Sequence, residues 1–325
     1  MLERWSRCRA CAPGPAEAAS DRTNRTLLRP NLVLVVDPDR LASRAPAEVV
    51  RALGYAVIGG KVMLEEQARQ AASALLWEHW QQGRRMPELP ASLRPTTRDD
   101  GYAVQALLEA RSRFPLFGWK IAATSEAGQS HIGVDGPLAG RLLQEQVRES
   151  DARLPVGANH MRVAEPEFAF RMGRDLLPRP TPYNVDGVLA AVDTLHPAIE
   201  IPDSRYEDFS KAGAAQLIAD DACAHYFVLG PATRTAWRRV DLVEHPVLGT
   251  IAGTRERQGK GANVLGDPRL ALAWLVNELS GLGIALRSGQ VVTTGTCMVP
   301  MPFAPGDHMI ADFGTLGRVE VQFGN

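Results

Sequence analysis

The run Arg162-Val163-Ala164-Glu165-Pro166-Glu167-Phe168-Ala169-Phe170 constrains this chain more than any other segment. Its alternation predicts a strand, in which side chains change face at every residue. Val163, Glu165, Glu167 and Ala169 then share one face, and Ala164, Phe168 and Phe170 share the other. The apolar face can enter a core. The opposite face carries two carboxylates about 7 Å apart along the strand, two residues of rise. Like charges so placed repel unless a cation sits between them or water screens them. A Glu-x-Glu pair is most often the solvated face of an antiparallel sheet, so the pair alone does not decide between these readings.

A third carboxylate in a similar setting shifts the balance. His196-Pro197-Ala198-Ile199-Glu200-Ile201-Pro202-Asp203 also reads as a strand, with Glu200 on the face opposite Ile199 and Ile201. Three carboxylates without a Cys or His pair at ligand spacing form a hard, all-oxygen donor set. That set suits Mg²⁺, Mn²⁺ or Ca²⁺ better than zinc or copper.

Several classes are disfavoured. The 325 residues carry a formal net charge of −1, so there is no basic footprint for nucleic acid. No apolar stretch approaches the ~18 residues of a membrane span. Cys8, Cys11, Cys223 and Cys297 are too few for a disulfide scaffold, and Cys8-x-x-Cys11 lacks the second half of a zinc site. A reducing, cytoplasmic location is expected. Gly281-x-Gly283 ends a helical pattern instead of opening one, which argues against a dinucleotide site. No GxSxG elbow or phosphate-binding loop is present.

Residues 1–62 differ in composition from the rest and are expected to be an extension or an over-long translation start, with a single catalytic domain over 63–325. Met63 opens a helical pattern that Gly83 closes. Thr97 with Asp100 predicts a helix start and a helix to about Arg113. Ser125 predicts a short helix to His131, and Asn184 one over about 185–195. Asp267-Pro268 begins a helix that stops at 281–283. Strands are expected at 116–122, 226–229, 247–253, 290–294, 308–313 and 318–323. Strands clustered in the C-terminal half with scattered helices indicate an α+β fold with mixed sheets.

Lys120, in Phe117-Gly118-Trp119-Lys120-Ile121, has a solvated side chain as its ordinary reading. Asp135 in its glycine-rich loop has turn formation. Thr293-Thr294-Gly295-Thr296 is either an anion cradle or a plain turn.

Taken in order, Gly118-Trp119-Lys120-Ile121, Gly133-Val134-Asp135, Glu165-Pro166-Glu167, Ala198-Ile199-Glu200 and Thr294-Gly295-Thr296 resemble the fumarylacetoacetate hydrolase superfamily, and within it the branch of 2-keto-4-pentenoate hydratases and 4-oxalocrotonate decarboxylases. Gly173-Arg174-Asp175-Leu176 and Val264-Leu265-Gly266-Asp267-Pro268 support it, as do Ala304 to Asp307 and Phe313 to Gly317. The resemblance covers about four fifths of the chain. It implies a mixed β-roll with peripheral helices, and Mg²⁺ or Mn²⁺ on Glu165, Glu167 and Glu200. It implies Lys120 and Asp135 as polar catalytic groups, and an assembly that is homo-oligomeric or complexed with a pathway enzyme. Thr294, Gly295 and Thr296 are candidates to position a substrate carboxylate. Some residues depart from the hydratase pattern: Ala219-Asp220-Asp221-Ala222-Cys223 stands for Ala-Asp-Asn-Ala-Ser, and Glu-Pro-Glu leans toward the decarboxylases. Thr-Gly-Thr is closer to the hydrolases.

The expected activity is hydration of 2-hydroxypenta-2,4-dienoate or a substituted relative to a 4-hydroxy-2-oxo acid. Decarboxylation of a 2-oxo-hexenedioate and hydrolysis of acylpyruvates are the enzymatic alternatives. A catalytically silent partner subunit is the alternative from another class.

Overall fold

The protein was analysed as a computed structural model, which describes residues 54–58 and 61–324. The hairpin β1 (Tyr55–Ile58) and β2 (Lys61–Leu64) leads into α1 (Glu66–Gln82) and α2 (Arg98–Ala106). Next come β3 (Gly118–Ala122), α3 (Glu126–Ile132), β4 (Leu138–Leu142), β5 (Val147–Glu149) and β6 (Ala152–Pro155). The long strands β7 (Val163–Met172) and β8 (Val192–Ile201) flank α4 (Val185–Leu189). Then follow α5 (Ala214–Ala219), β9 (Tyr226–Leu229), β10 (Pro246–Ile251), β11 (Arg255–Lys260) and α6 (Pro268–Gly281). The last strands are β12 (Val291–Thr296), β13 (Met301–Pro302), β14 (His308–Asp312) and β15 (Arg318–Gly324).

The larger sheet runs β4-β3-β12-β7-β8-β9-β5, with β13 also pairing β7; the smaller runs β11-β10-β14-β15-β6. Each mixes directions: β12 with β3, β5 with β9 and β15 with β6 are parallel, while β7 pairs antiparallel with both β8 and β12. This is the expected α+β arrangement of mixed sheets. Among the described residues, no helix is long and apolar enough to cross a membrane.

The main core lies between the two sheets. Phe168, Phe170, Ile199 and Ile201 from the larger sheet join Met309, Val319, Val321 and Phe323 from the smaller. The Phe168 ring meets Phe313 edge-on at 5.1 Å between centroids. On the other face of β7 and β8 only a small cluster forms, with Ala169, Ala198, Phe227, Leu142 and Val291. The two-residue period of β7 therefore separates a thick apolar core from a thin layer of small side chains. The carboxylates stand on that second side.

Local signals placed most helix ends. Thr97 Oγ1 accepts from the Asp100 N–H, Ser125 from the Gly128 N–H, and Asn184 from the Gly187 N–H. Gly83 ends α1 in the left-handed region at φ 60°. Three expected spans differ. The helix read as opening at Met63 begins at Glu66, because Met63 and Leu64 belong to β2, where the Leu64 N–H is held by Asp100 Oδ1 at 2.9 Å. The helix read to Arg113 ends at Ala106. The helix read over 185–195 ends at Leu189, and Val192 to Leu195 start β8 instead, in register with Phe170 to Met172. Long-range pairing along ten residues of β8 outweighs a continuing helical period there. The expected extension over 1–62 lies outside the described residues except for part of the hairpin, where buried Tyr55 packs with Leu64, Ala72 and Leu76.

Candidate active site

Register alone assembles the carboxylates. In the β7–β8 ladder Glu165 lies directly opposite Glu200, and Glu167 opposite Ala198, so all three acids share one face. Ligand oxygens of Glu165, Glu167 and Glu200 fall within 4.8 Å of one another. Among the described residues one other group comes as close, Asp151, His308 and Glu320, but it lies at the surface, where water screens charge. Glu167 and Glu200 are buried and Glu165 is half-buried.

The hydrogen bonding of these acids is incomplete in a particular way. Glu167 Oε2 accepts from the Gly295 N–H at 2.8 Å and from the Thr293 hydroxyl, while Glu167 Oε1 is buried without a partner. Glu200 Oε1 is 2.9 Å from Lys120 Nζ, and Glu200 Oε2 has no partner. Orphaned carboxylate oxygens are costly in a protein interior. Two of them converging with a third carboxylate fit a hard divalent cation, and a sulfur- or nitrogen-seeking metal poorly.

Lys120 reaches this cluster from β3. It is 2% exposed, contrary to the usual fate of a strand lysine, and Nζ also donates to the Ala222 carbonyl at 2.8 Å. That carbonyl sits on a tight turn in which Asp221, Ala222 and Cys223 all adopt φ near +50 to +60° (54°, 49° and 61°). A run of three non-glycine residues in the left-handed region is costly. Surrounding contacts hold it: Asp221 Oδ1 accepts from the Arg141 N–H at 2.6 Å, and buried Asp220 pairs with Arg205 and accepts from Ser204 at 2.7 Å.

Burial and crowding shift the titrations. Burial pushes Glu165 up to about 8, with the charge of Glu200 adding and Lys120 opposing. Glu167 is raised well above the usual carboxylate range by burial, then by Glu200 and Glu165. Burial alone would lower Lys120, but Glu200 and Glu165 outweigh it and hold the ammonium above its ordinary value. Burial raises Asp221 to about 7 and the Cys223 thiol to about 12.

A cavity of about 670 Å³ adjoins the cluster. Lys120, Glu165, Ala222, Cys223, Asn263 and Thr296 line it, together with a largely apolar wall. Of the residues singled out in the sequence, Lys120, Glu165, Glu167 and Glu200 come together, and Thr296 lines the cavity. Gly295 contributes its N–H to Glu167; at φ 94° a Cβ there would lie 2.2 Å from Thr124 Oγ1, so only glycine fits. The Thr294 hydroxyl instead donates to the Phe168 carbonyl at 2.9 Å, inside the sheet. Asp135 is exposed in the loop between α3 and β4 and is absent from the cavity lining; its charge is felt by Arg98. The Thr293 hydroxyl, part of the Thr293 to Thr296 segment read as an anion cradle or a turn, serves Glu167 instead. Two contributors carried no sequence signal of their own, the Ala222 carbonyl and Asn263, which donates to the Cys297 carbonyl at 2.8 Å.

No family model matches the chain. It is 32% identical over 262 residues to the 2-keto-4-pentenoate hydratase of Paraburkholderia xenovorans strain LB400, covering 79% of this chain and 95% of that one. It is 31% identical over 205 residues to a 4-oxalocrotonate decarboxylase of a Pseudomonas species, covering 62% of this chain and 76% of that one. Its fold matches the 4-oxalocrotonate decarboxylase of Pseudomonas putida G7 complexed with magnesium and adipate, with a TM-score of 0.73, 26% identity, and coverage of 80% of this chain and 98% of the other. The mixed sheets, the order of the motifs and these likenesses agree: the chain belongs to the branch of the fumarylacetoacetate hydrolase superfamily that holds the 2-keto-4-pentenoate hydratases and 4-oxalocrotonate decarboxylases.

Proposed function

We propose that the protein is a divalent-metal-dependent hydratase that converts 2-hydroxypenta-2,4-dienoate, or a substituted relative, to the 4-hydroxy-2-oxo acid. The observation that carries this reading is the cluster of Glu165, Glu167 and Glu200, in which buried oxygens of Glu167 and Glu200 are left unpartnered beside an ammonium while Glu165 lines a cavity. Mg²⁺ or Mn²⁺ is the ion the reading assigns to these glutamates. When bound, such an ion supplies Lewis acidity toward the oxygens of a 2-oxo acid.

The remaining work falls to the chain's own groups. Gly295 N–H and the Thr293 hydroxyl fix Glu167 so that its other oxygen faces the cluster. Lys120 is charged; it donates one proton to the Ala222 carbonyl, and its ammonium lies 2.9 Å from Glu200 Oε1 as an ion pair. Its role is therefore to donate, not to abstract. Protonation at C5 of the dienol and loss of the 2-hydroxyl proton give the conjugated 2-oxo-3-enoate. Water then adds, hydroxyl to C4 and proton to C3. Lys120 is the group placed to supply or steer these protons; Asp135 is not needed. On this reading the chain works in the cytoplasm as a homo-oligomer.

The test follows the ultraviolet loss of 2-hydroxypenta-2,4-dienoate with Mg²⁺, with an EDTA control and mass identification of the product. A 4-hydroxy-2-oxopentanoate product that disappears with EDTA is expected. Absence of turnover, with CO₂ released from a 2-oxo-hexenedioate, would replace hydratase by decarboxylase, the activity named for two of the similar proteins.

A further inference from the structure

The cavity beside the glutamates is larger than a five-carbon acid requires. At roughly 30 Å³ per non-hydrogen atom, the share of a water molecule in the liquid, the eight such atoms of 2-hydroxypenta-2,4-dienoate occupy about 240 Å³. The cavity measures about 670 Å³. Even after an ion and its waters are allowed for, space remains for a substituent.

The lining says what kind. Ile132, Leu138, Val163, Phe209, Leu217 and Met298 form much of the wall. Val299 also lines it and is 68% exposed, so the apolar surface continues out to solvent. Among the described residues lining the cavity, the cationic side chains are Lys120 and, when protonated, His131; no arginine is present. Lys120 is already paired with Glu200, and His131 is an exposed residue whose ring rests edge-on against Phe209 at 5.8 Å. A second carboxylate on a tail packed along this wall would give up water without gaining a buried partner, which is unfavourable.

We infer that the site selects 2-oxo acids with an apolar tail of at least roughly four carbons beyond the reacting diene, for which the remaining volume leaves ample room, and discriminates against a distal carboxylate. The selection deepens the proposed hydratase reading and rests on it for the reacting end of the substrate only.

The test separates the two. Wild-type protein with Mg²⁺ is titrated calorimetrically with unreactive saturated acids: 2-oxobutanoate, 2-oxohexanoate, 2-oxooctanoate, 4-phenyl-2-oxobutanoate and 2-oxoadipate. Kd is expected to fall about threefold to fourfold per buried methylene. From 2-oxobutanoate to 2-oxooctanoate it should fall at least about tenfold, and 2-oxoadipate should bind at least about tenfold more weakly than 2-oxohexanoate, which has the same carbon count. Ile132→Trp, which fills part of the wall, should weaken 2-oxooctanoate far more than 2-oxobutanoate. A Kd independent of tail length, tightest binding by 2-oxoadipate, or no binding by any of these acids would overturn the inference, whether or not the tryptophan variant folds. Turnover of 2-hydroxypenta-2,4-dienoate is assayed in parallel. Its absence with the Kd trend intact would sink the hydratase reading and leave the tail selection standing.

Discussion

Replacing Glu165 by Gln should stabilise the metal-free protein while removing its response to metal. The Glu165 carboxyl titrates at about 8 in the folded protein against an ordinary 4.5. Below pH 4.5 both folded and unfolded chains hold this proton, and the group is neutral toward stability. Between 4.5 and 8 the unfolded chain releases the proton and the folded chain keeps it, so stability falls as pH rises. Each pH unit costs about 1.4 kcal/mol, which makes about 3 kcal/mol by pH 7. Gln carries no charge in either state and escapes this cost. In EDTA at pH 7, Glu165→Gln should therefore melt roughly 4–6 °C above the wild type, at about 1.5–2 °C per kcal/mol for a chain of this size. The gap should close near pH 4.5. With Mg²⁺ the order should reverse, because the wild type gains binding energy that the variant has lost. Thermal unfolding followed by circular dichroism, in EDTA and in Mg²⁺ at several pH values, reads all of this. A variant that is less stable than wild type in EDTA at pH 7, or a gap that does not change with pH, would refute the claim that the metal-free cluster retains the Glu165 proton at a cost to stability.

Two further outcomes follow from the same geometry. Lys120→Met should reduce turnover by about 10² to 10⁴, the usual weight of a proton-transfer group, without weakening Mg²⁺ binding measured by calorimetry, since the variant removes a positive neighbour and no ligand; a loss of metal affinity would make Lys120 a structural strut. Gly295→Ala should destabilise by about 1–3 kcal/mol from backbone strain alone, and its contact with Thr124 should displace the N–H that holds Glu167, so that Mg²⁺ affinity drops along with stability in denaturant melts.

The glutamates were legible in the sequence because a strand has a period of two. Once Val163 to Phe170 is read as a strand with Phe168 and Phe170 inward, Glu165 and Glu167 can only share the other face, and the same holds for Glu200 against Ile199 and Ile201. That the two strands would be neighbours, with Glu165 opposite Glu200, was not legible, because register across a sheet is a long-range property. Lys120 was ambiguous for a related reason: β3 meets β7 only through β12, and nothing local reveals that its lysine is buried. The Ala222 carbonyl was beyond reach, since a left-handed turn in Asp-Ala-Cys contradicts local preference and is held by Arg141 and by the Asp220–Arg205 pair. Thr294 shows the opposite limit of a two-residue period. The irregularity between Thr293 and Thr296 breaks the period, so Thr293 and Thr296 take the positions near the site while Thr294 turns into the sheet.

The charges of the site also indicate what it is built to hold. Glu165, Glu167 and Glu200, fully ionised, bring three negative charges into a largely buried space, and Lys120 returns one. A divalent ion makes the sum zero; a monovalent ion leaves one negative charge and a trivalent ion one positive, each expensive to bury. Without an ion the same balance is approached by retaining protons, as the raised titrations of Glu165 and Glu167 require. Metal binding and proton release are thus two ways of meeting one constraint, and Lys120 fixes where the balance lies. A 2-oxo acid brings its own negative charge to this neutral centre, leaving the Lys120 ammonium as the positive group within reach of it. On the proposed function, that would tie the lysine to substrate recognition as well as to proton supply.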